Sequence, residues 1–143
     1  MHFIREFCLV LQIEIHEYLQ QRPMREFCAK HNISVTSYAS LGSAALRPGF
    51  NPNLTEETFP DLFKHPVIHK IGSKYGKSNS QVILRHLIQE GIIVIPKSQH
   101  PKRQLENFDI FDFELTDEDI EKLRNLDRGA AARIYIFIEE YKK

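Results

Sequence analysis

The stretch from Ile92 to Asn107 reads I-I-V-I-P-K-S-Q-H-P-K-R-Q-L-E-N, and it constrains the fold more than any other part of the chain. An unbroken run of β-branched aliphatic residues, Ile92 to Ile95, predicts a strand buried on both faces, the habit of a parallel sheet. Gly91 punctuates its front and Pro96 its end. Lys97, Ser98 and His100 follow directly, then Pro101 at a first helical position. Arg103 and Asn107 are four apart and share one face of that helix. A buried strand, a loop with a lysine and a hydroxyl, and a helix start together suit an anion, because helix N-terminal amides favour phosphate and Lys with Arg add charge. On residue types alone, a solvated basic turn after a core strand fits the same letters.

The segments before it have an α/β rhythm. Leu9 to Ile15 is strand-like, with Pro23 predicted to start a helix that runs to about Lys30. Ile33 to Tyr38 predicts a second strand. Leu41 to Pro60, rich in Gly, Pro, Ser and Asn, predicts a long loop. Pro66 to Tyr75 predicts a helix with Gly76 as its left-handed stop. Ser78-x-x-Gln81 is a capping box, and Val82, Ile83, Leu84 and Leu87 supply the apolar contacts of the helix it opens. Thr116-x-x-Asp119 is a variant box before a stripe of Ile120, Leu123 and Leu126. Strands alternating with helices imply parallel pairing and right-handed crossovers. Arg5-Glu6-Phe7-Cys8 recurs at Arg25-Glu26-Phe27-Cys28, too short a word for a structural repeat.

Composition narrows the function. Lys+Arg and Asp+Glu balance at 19 each, so no global field points to nucleic acid or a membrane surface. Cys8 and Cys28 have no metal-type spacing, and reduced thiols in the cytoplasm are the expectation. No apolar run reaches the length of a membrane span, and Met1–Val10 lacks the apolar core of a signal peptide. His65-x-x-x-His69 has helical metal spacing without a third ligand, so no metal is expected.

Val94-Ile95-Pro96-Lys97-Ser98, then Arg103 and Glu106-Asn107-Phe108, resembles the C-terminal cofactor-binding signature of the aldo-keto reductases. The resemblance implies that Lys97 and Ser98 meet the 2′-phosphate of NADPH. It implies that Arg103 contacts the same phosphate and lies over the adenine, and that Glu106 and Asn107 meet the adenine edge. The likeness runs from about Gln12 to about Asp127. Ile13-Glu14-Ile15-His16-x-Tyr18-Leu19 looks like the family's sixth barrel strand, Val35 to Ser43 like the seventh, and Ile92 to Ser98 like the eighth. By the same likeness Gln12 meets the nicotinamide carboxamide, Tyr38 stacks on the nicotinamide, and Leu41 and Ser43 meet the pyrophosphate. Read singly, Tyr38 is also an ordinary strand-end aromatic, Gln12 a backbone partner and Ser43 a turn residue. Some positions depart from the family: Ala39 and Ser40 follow the stacking tyrosine where serine and proline are usual, and Leu11 replaces an asparagine. His100 stands where threonine often reaches the 2′-phosphate, and an imidazolium there would make binding pH-dependent.

The fold implied is α/β, a partial (β/α)8 TIM barrel: C-terminal strands 6–8 with their helices, the N-terminal barrel strands missing. A whole barrel needs about 250 residues, against 143 here. Residues 1–143 are then the C-terminal part of a single NADP-dependent oxidoreductase domain, with 130–143 a divergent tail. The function implied is NADPH-dependent reduction of aldehydes and ketones to alcohols. The family's catalytic tyrosine, lysine, aspartate and histidine lie on its first four strands, so no catalytic residue is assigned here. Tyr18, Tyr75, Tyr135 and Tyr141 do not match the catalytic tyrosine motif. The expectation is a chain inactive alone that keeps the cofactor site. The alternatives are a non-catalytic NADP(H)-binding or partner-completing module, or a degenerate fragment. Expected partners are a small carbonyl substrate and a chain supplying the missing strands, with no nucleic acid and no membrane.

Overall fold

The computed structural model describes residues 9–43 and 47–136. Strand β1 (Val10–Glu14) leads through helix α1 (Arg22–Lys30) to β2 (Ser34–Tyr38). A short helical turn, α2 (Arg47–Phe50), then precedes α3 (Pro66–Tyr75) and α4 (Asn79–Gln89), which lead to β3 (Ile92–Val94). Helices α5 (Pro101–Phe108) and α6 (Asp117–Arg124) close the order. The strands form one parallel sheet in the order β1-β2-β3, with Gln12 beside Thr36 and Thr36 beside Ile93.

That register sorts the side chains, because successive residues of a strand point to opposite faces. Leu11, Ile13, Val35, Ile92 and Val94 share the face that packs into the hydrophobic core. Val10, Gln12, Tyr38 and Ile93 share the other, which is largely open. The expectation of a third strand buried on both faces is corrected here: Ile93 is 49% and Ile95 50% exposed. β3 is an edge strand, and among the described residues nothing covers its second face.

The helix signals hold with small shifts. Pro23 is the second residue of α1 rather than the first, and Gly76 ends α3 at φ 67°. The capping box is complete: Gln81 N donates to Ser78 Oγ at 3.3 Å and Ser78 N donates to Gln81 Oε1 at 3.0 Å. The Thr116 box is half formed. Asp119 N donates to Thr116 Oγ1, while the Asp119 carboxylate accepts from the Thr116 hydroxyl at 2.8 Å instead of from its backbone. Lys74 and Tyr75 of α3 reach the same carboxylate oxygen at 2.6 Å each, which ties α3 to α6. Burial pushes the Asp119 carboxyl up, but the Lys74, Tyr75 and Thr116 bonds outweigh it and bring its pKa down to about 2.

The interval 41–60 is less loop-like than its composition predicts. It contains α2, and Phe59 is buried in the core, as is Leu62 just beyond the interval. Gly42, at φ 76°, sits so close beneath them that an added Cβ would lie 2.9 Å from Leu62 Cδ1. After α6 the chain returns to the C-terminal end of β1. Arg128 N donates to Tyr18 O at 2.9 Å, its guanidinium lies 4.6 Å from the Tyr18 ring centroid, and Ile134 is fully buried. Because the strands are parallel, Glu14, Tyr38 and Lys97 all emerge at this one end of the sheet.

Candidate functional site

The Lys97 corner is built by the turn into α5. His100 N donates to Ser98 Oγ at 3.1 Å, and Gln104 Nε2 donates to Ser98 O at 2.8 Å, so the helix folds back to fix the loop. Pro101 opens α5, and His100 at its N-cap makes no side-chain capping bond. The first-turn amides of Lys102 and Arg103 therefore lack a side-chain cap, the arrangement that attracts anions. Lys97 and Arg103 are exposed and form no ion pair with any described residue. Glu106 and Asn107 are half-buried on the same helix. Gln104, which sequence reasoning passed over, steadies the Ser98 carbonyl; its signal is only an amide six residues after a loop serine.

A second group gathers at the ends of β1 and β2. Tyr38 is half-buried, and its hydroxyl pKa is raised by burial and by the nearby Glu14 charge, with Arg133 opposing. Ala39 (φ 55°), Gly42 (φ 76°) and Ser43 (φ 40°) put left-handed backbone into the loop after β2, a conformation that strains the two non-glycine residues. Leu41 packs against the core. Gln12 is exposed on the open face with no side-chain hydrogen bond to the described residues.

Sequence reasoning missed the residues that complete this group. Tyr135 donates from its hydroxyl to Ser43 Oγ at 3.2 Å, and its ring meets Tyr38 edge-on at 5.5 Å and Phe50 at 4.7 Å. Glu14, 1% exposed, accepts from Ile134 N at 2.6 Å, Tyr135 N at 3.0 Å and His16 Nε2 at 3.1 Å. Burial raises the Glu14 pKa, but these three bonds outweigh it and hold the carboxyl below the usual range. A glutamate inside an alternating strand with histidine two residues on was the visible signal. What it would bind was not legible.

The corner and the Tyr38 group share the C-terminal end of the sheet, whereas a cleft of about 760 Å³ opens at the other end, beside Ser34, Gly91 and Ile92. Its arginines are committed: Arg25 and Arg124 both reach the Glu90 carboxylate at 2.6 Å. No group of three or more metal-capable side chains exists among the described residues, and His65 lies at the N-cap of α3 rather than within it. No helix among the described residues is long and apolar enough to cross a membrane. Residues 5–8 of the duplicated word, and Tyr141 with the end of the tail, lie outside the described residues.

Comparison with known proteins gives a consistent result. The model of the aldo/keto reductase family matches residues 6–128. Dihydrodiol dehydrogenase 3 of Bos taurus is 37% identical over 139 residues, 91% of this chain and 42% of that protein. A probable NAD(P)H-dependent D-xylose reductase of Emericella nidulans is 42% identical over 120 residues, 83% of this chain and 37% of that one. Among solved structures, a Gox0644 mutant in complex with NADPH superposes with a TM-score of 0.75 at 34% identity, over 94% of this chain and 43% of that chain. The chain thus spans about two fifths of the length of these relatives.

Proposed function

Because the chain belongs to the aldo/keto reductase family, we propose that it is the NADPH-binding part of an enzyme that reduces aldehydes and ketones to alcohols. Lys97, Ser98, His100 and Arg103 hold the 2′-phosphate, and Glu106 with Asn107 meets the adenine edge. Leu41 and Ser43 face the pyrophosphate, Tyr38 carries the nicotinamide ring and Gln12 its carboxamide. The observation that carries this reading is the pair of exposed cations, Lys97 just before α5 and Arg103 in its first turn, at a helix N-terminus without a side-chain cap. This donor-rich set fits a dianionic phosphoryl group: two cations, helix amides and a hydroxyl whose orientation the His100 amide fixes. The crystal structure of a relative in complex with NADPH supports the choice of cofactor.

Bound NADPH supplies a hydride to the carbonyl carbon. The residues of this chain bind and orient it, and protonation of the carbonyl oxygen needs a positioned acid. Tyr18 is fully buried and the Tyr75 hydroxyl donates to Asp119, so neither faces the open sheet. The reading assigns the proton donor to the family's first four barrel strands, which lie outside this sequence, and carbonyl reduction to those strands together with the cofactor site held here.

Titrating NADPH fluorescence against Lys97→Ala and Arg103→Ala tests the site. Each variant should weaken binding roughly tenfold or more, the value of one charge-assisted hydrogen bond, and affinity should fall with added salt. Equal affinity of wild type and both variants would remove the phosphate site from the proposal.

A further inference from the structure

The geometry points to Tyr135 as a built-in competitor for the nicotinamide end of the cofactor track, an inference that rests on the cofactor reading above. Tyr38 is the shelf assigned to the nicotinamide and Ser43 a group assigned to the pyrophosphate, and one side chain engages both. The Tyr135 ring stands edge-on to Tyr38 at 5.5 Å while its hydroxyl donates to Ser43 Oγ at 3.2 Å. Phe50 backs the same ring at 4.7 Å. A nicotinamide lying on Tyr38 with its diphosphate at Ser43 would compete with both contacts, since the Tyr135 ring packs against the first and its hydroxyl holds the second.

The backbone beneath Tyr135 is fixed. Glu14 accepts from the Ile134 and Tyr135 amides, and Asn51 Nδ2 donates to Arg133 O at 2.6 Å. Ile134 is fully buried next to them. The moving part is thus the Tyr135 side chain, which can turn about its own torsions while the backbone beneath it stays pinned. The phosphate corner takes no part in this exchange, because the described hydrogen bonds and ring contacts of Tyr135 involve Ser43, Glu14, Tyr38 and Phe50 and none of residues 97–107. A ligand with only the adenosine end should bind without displacing the ring, and a full dinucleotide should bind against it.

The test is calorimetric titration of the full chain with NADPH and with adenosine 2′,5′-bisphosphate, which lacks the nicotinamide half. Tyr135→Ala should tighten NADPH roughly two- to tenfold, the equivalent of one aromatic pair, and leave the bisphosphate unchanged. Tyr135→Phe, which keeps the ring and loses the Ser43 bond, should show a smaller gain with the same selectivity. In the unaltered chain NADPH, but not the bisphosphate, should shift the Tyr135 ring resonances, a readout independent of how the variants fold. If Tyr135→Ala leaves NADPH affinity unchanged or weakens it while Lys97→Ala weakens both ligands, the competitor role is overturned and the cofactor reading stands. If neither ligand binds the unaltered chain, the cofactor reading falls and the competitor role falls with it.

Discussion

At Glu14 the alternation of β1 turns a carboxylate onto the open face of the sheet, and the returning chain closes over it. Burying that group is unfavourable on its own; the two amides of Ile134 and Tyr135 and the His16 ring reverse the sign. Its folded pKa lies below the 4.5 of a free glutamate, so more protons bind the unfolded chain than the folded one near that pH. The stability it contributes is fully present above 4.5 and is lost as pH falls through the lower folded value. Glu14→Gln replaces one accepting oxygen with an NH2 that faces a donor, at a cost of roughly 2 kcal/mol. Urea unfolding of both proteins across pH should show that gap at pH 7 and its narrowing below pH 4.5. A gap independent of pH would mean the residue acts through packing rather than charge.

Among the elements, those set by neighbouring residues were legible and those set by distant ones were not. The Ser78–Gln81 box and the Gly76 stop are decided within a few positions, so the letters alone placed α3 and α4. The burial of β3 was misjudged because four aliphatic residues report a strand but not whether anything lies over its second face. Phe59 gave the interval 41–60 an anchored core contact that its Gly and Pro content concealed. At the candidate site the Lys97–Asn107 corner was readable as a local motif, because its residues lie within one short stretch. The Tyr135–Ser43 bond joins positions 92 apart and left no such trace. Glu90 shows the same limit: it ends α4, yet Arg25 of α1 and Arg124 of α6 both converge on it, at sequence distances of 65 and 34. Its side chain is 10% exposed, so the charges are partly desolvated and removing one partner leaves the others uncompensated. Glu90→Ala should lower stability by roughly 3 kcal/mol. A double-mutant cycle with Arg25→Ala should return a coupling above about 1 kcal/mol; additive losses would show that the three helices are held by their apolar contacts alone.

For the molecule as a whole, the sheet is the unresolved surface. Parallel strands are found almost always with both faces covered, and barrels remove edges by closing on themselves. Here β1 and β3 each pair on one side among the described residues, and Val10, Ile93 and Ile95 are each about half exposed at or beside them. Leu105 at 73%, Phe108 at 77% and Phe111 at 63% exposure extend the apolar surface onto and beyond α5. Apolar area of this kind drives association at about 25 cal/mol per Å² before orientational costs, so the isolated chain should self-associate as its concentration rises. Placing a charge on that surface makes its burial unfavourable without touching the packed core. Ile93→Lys and Phe108→Lys should each shift sedimentation toward monomer, while hydrogen exchange stays slow in β2, which is paired on both sides, and faster in β1 and β3. A wild-type monomer at every concentration, with β1 and β3 as well protected as β2, would mean that these edges are already satisfied and that the chain needs no partner to complete its sheet.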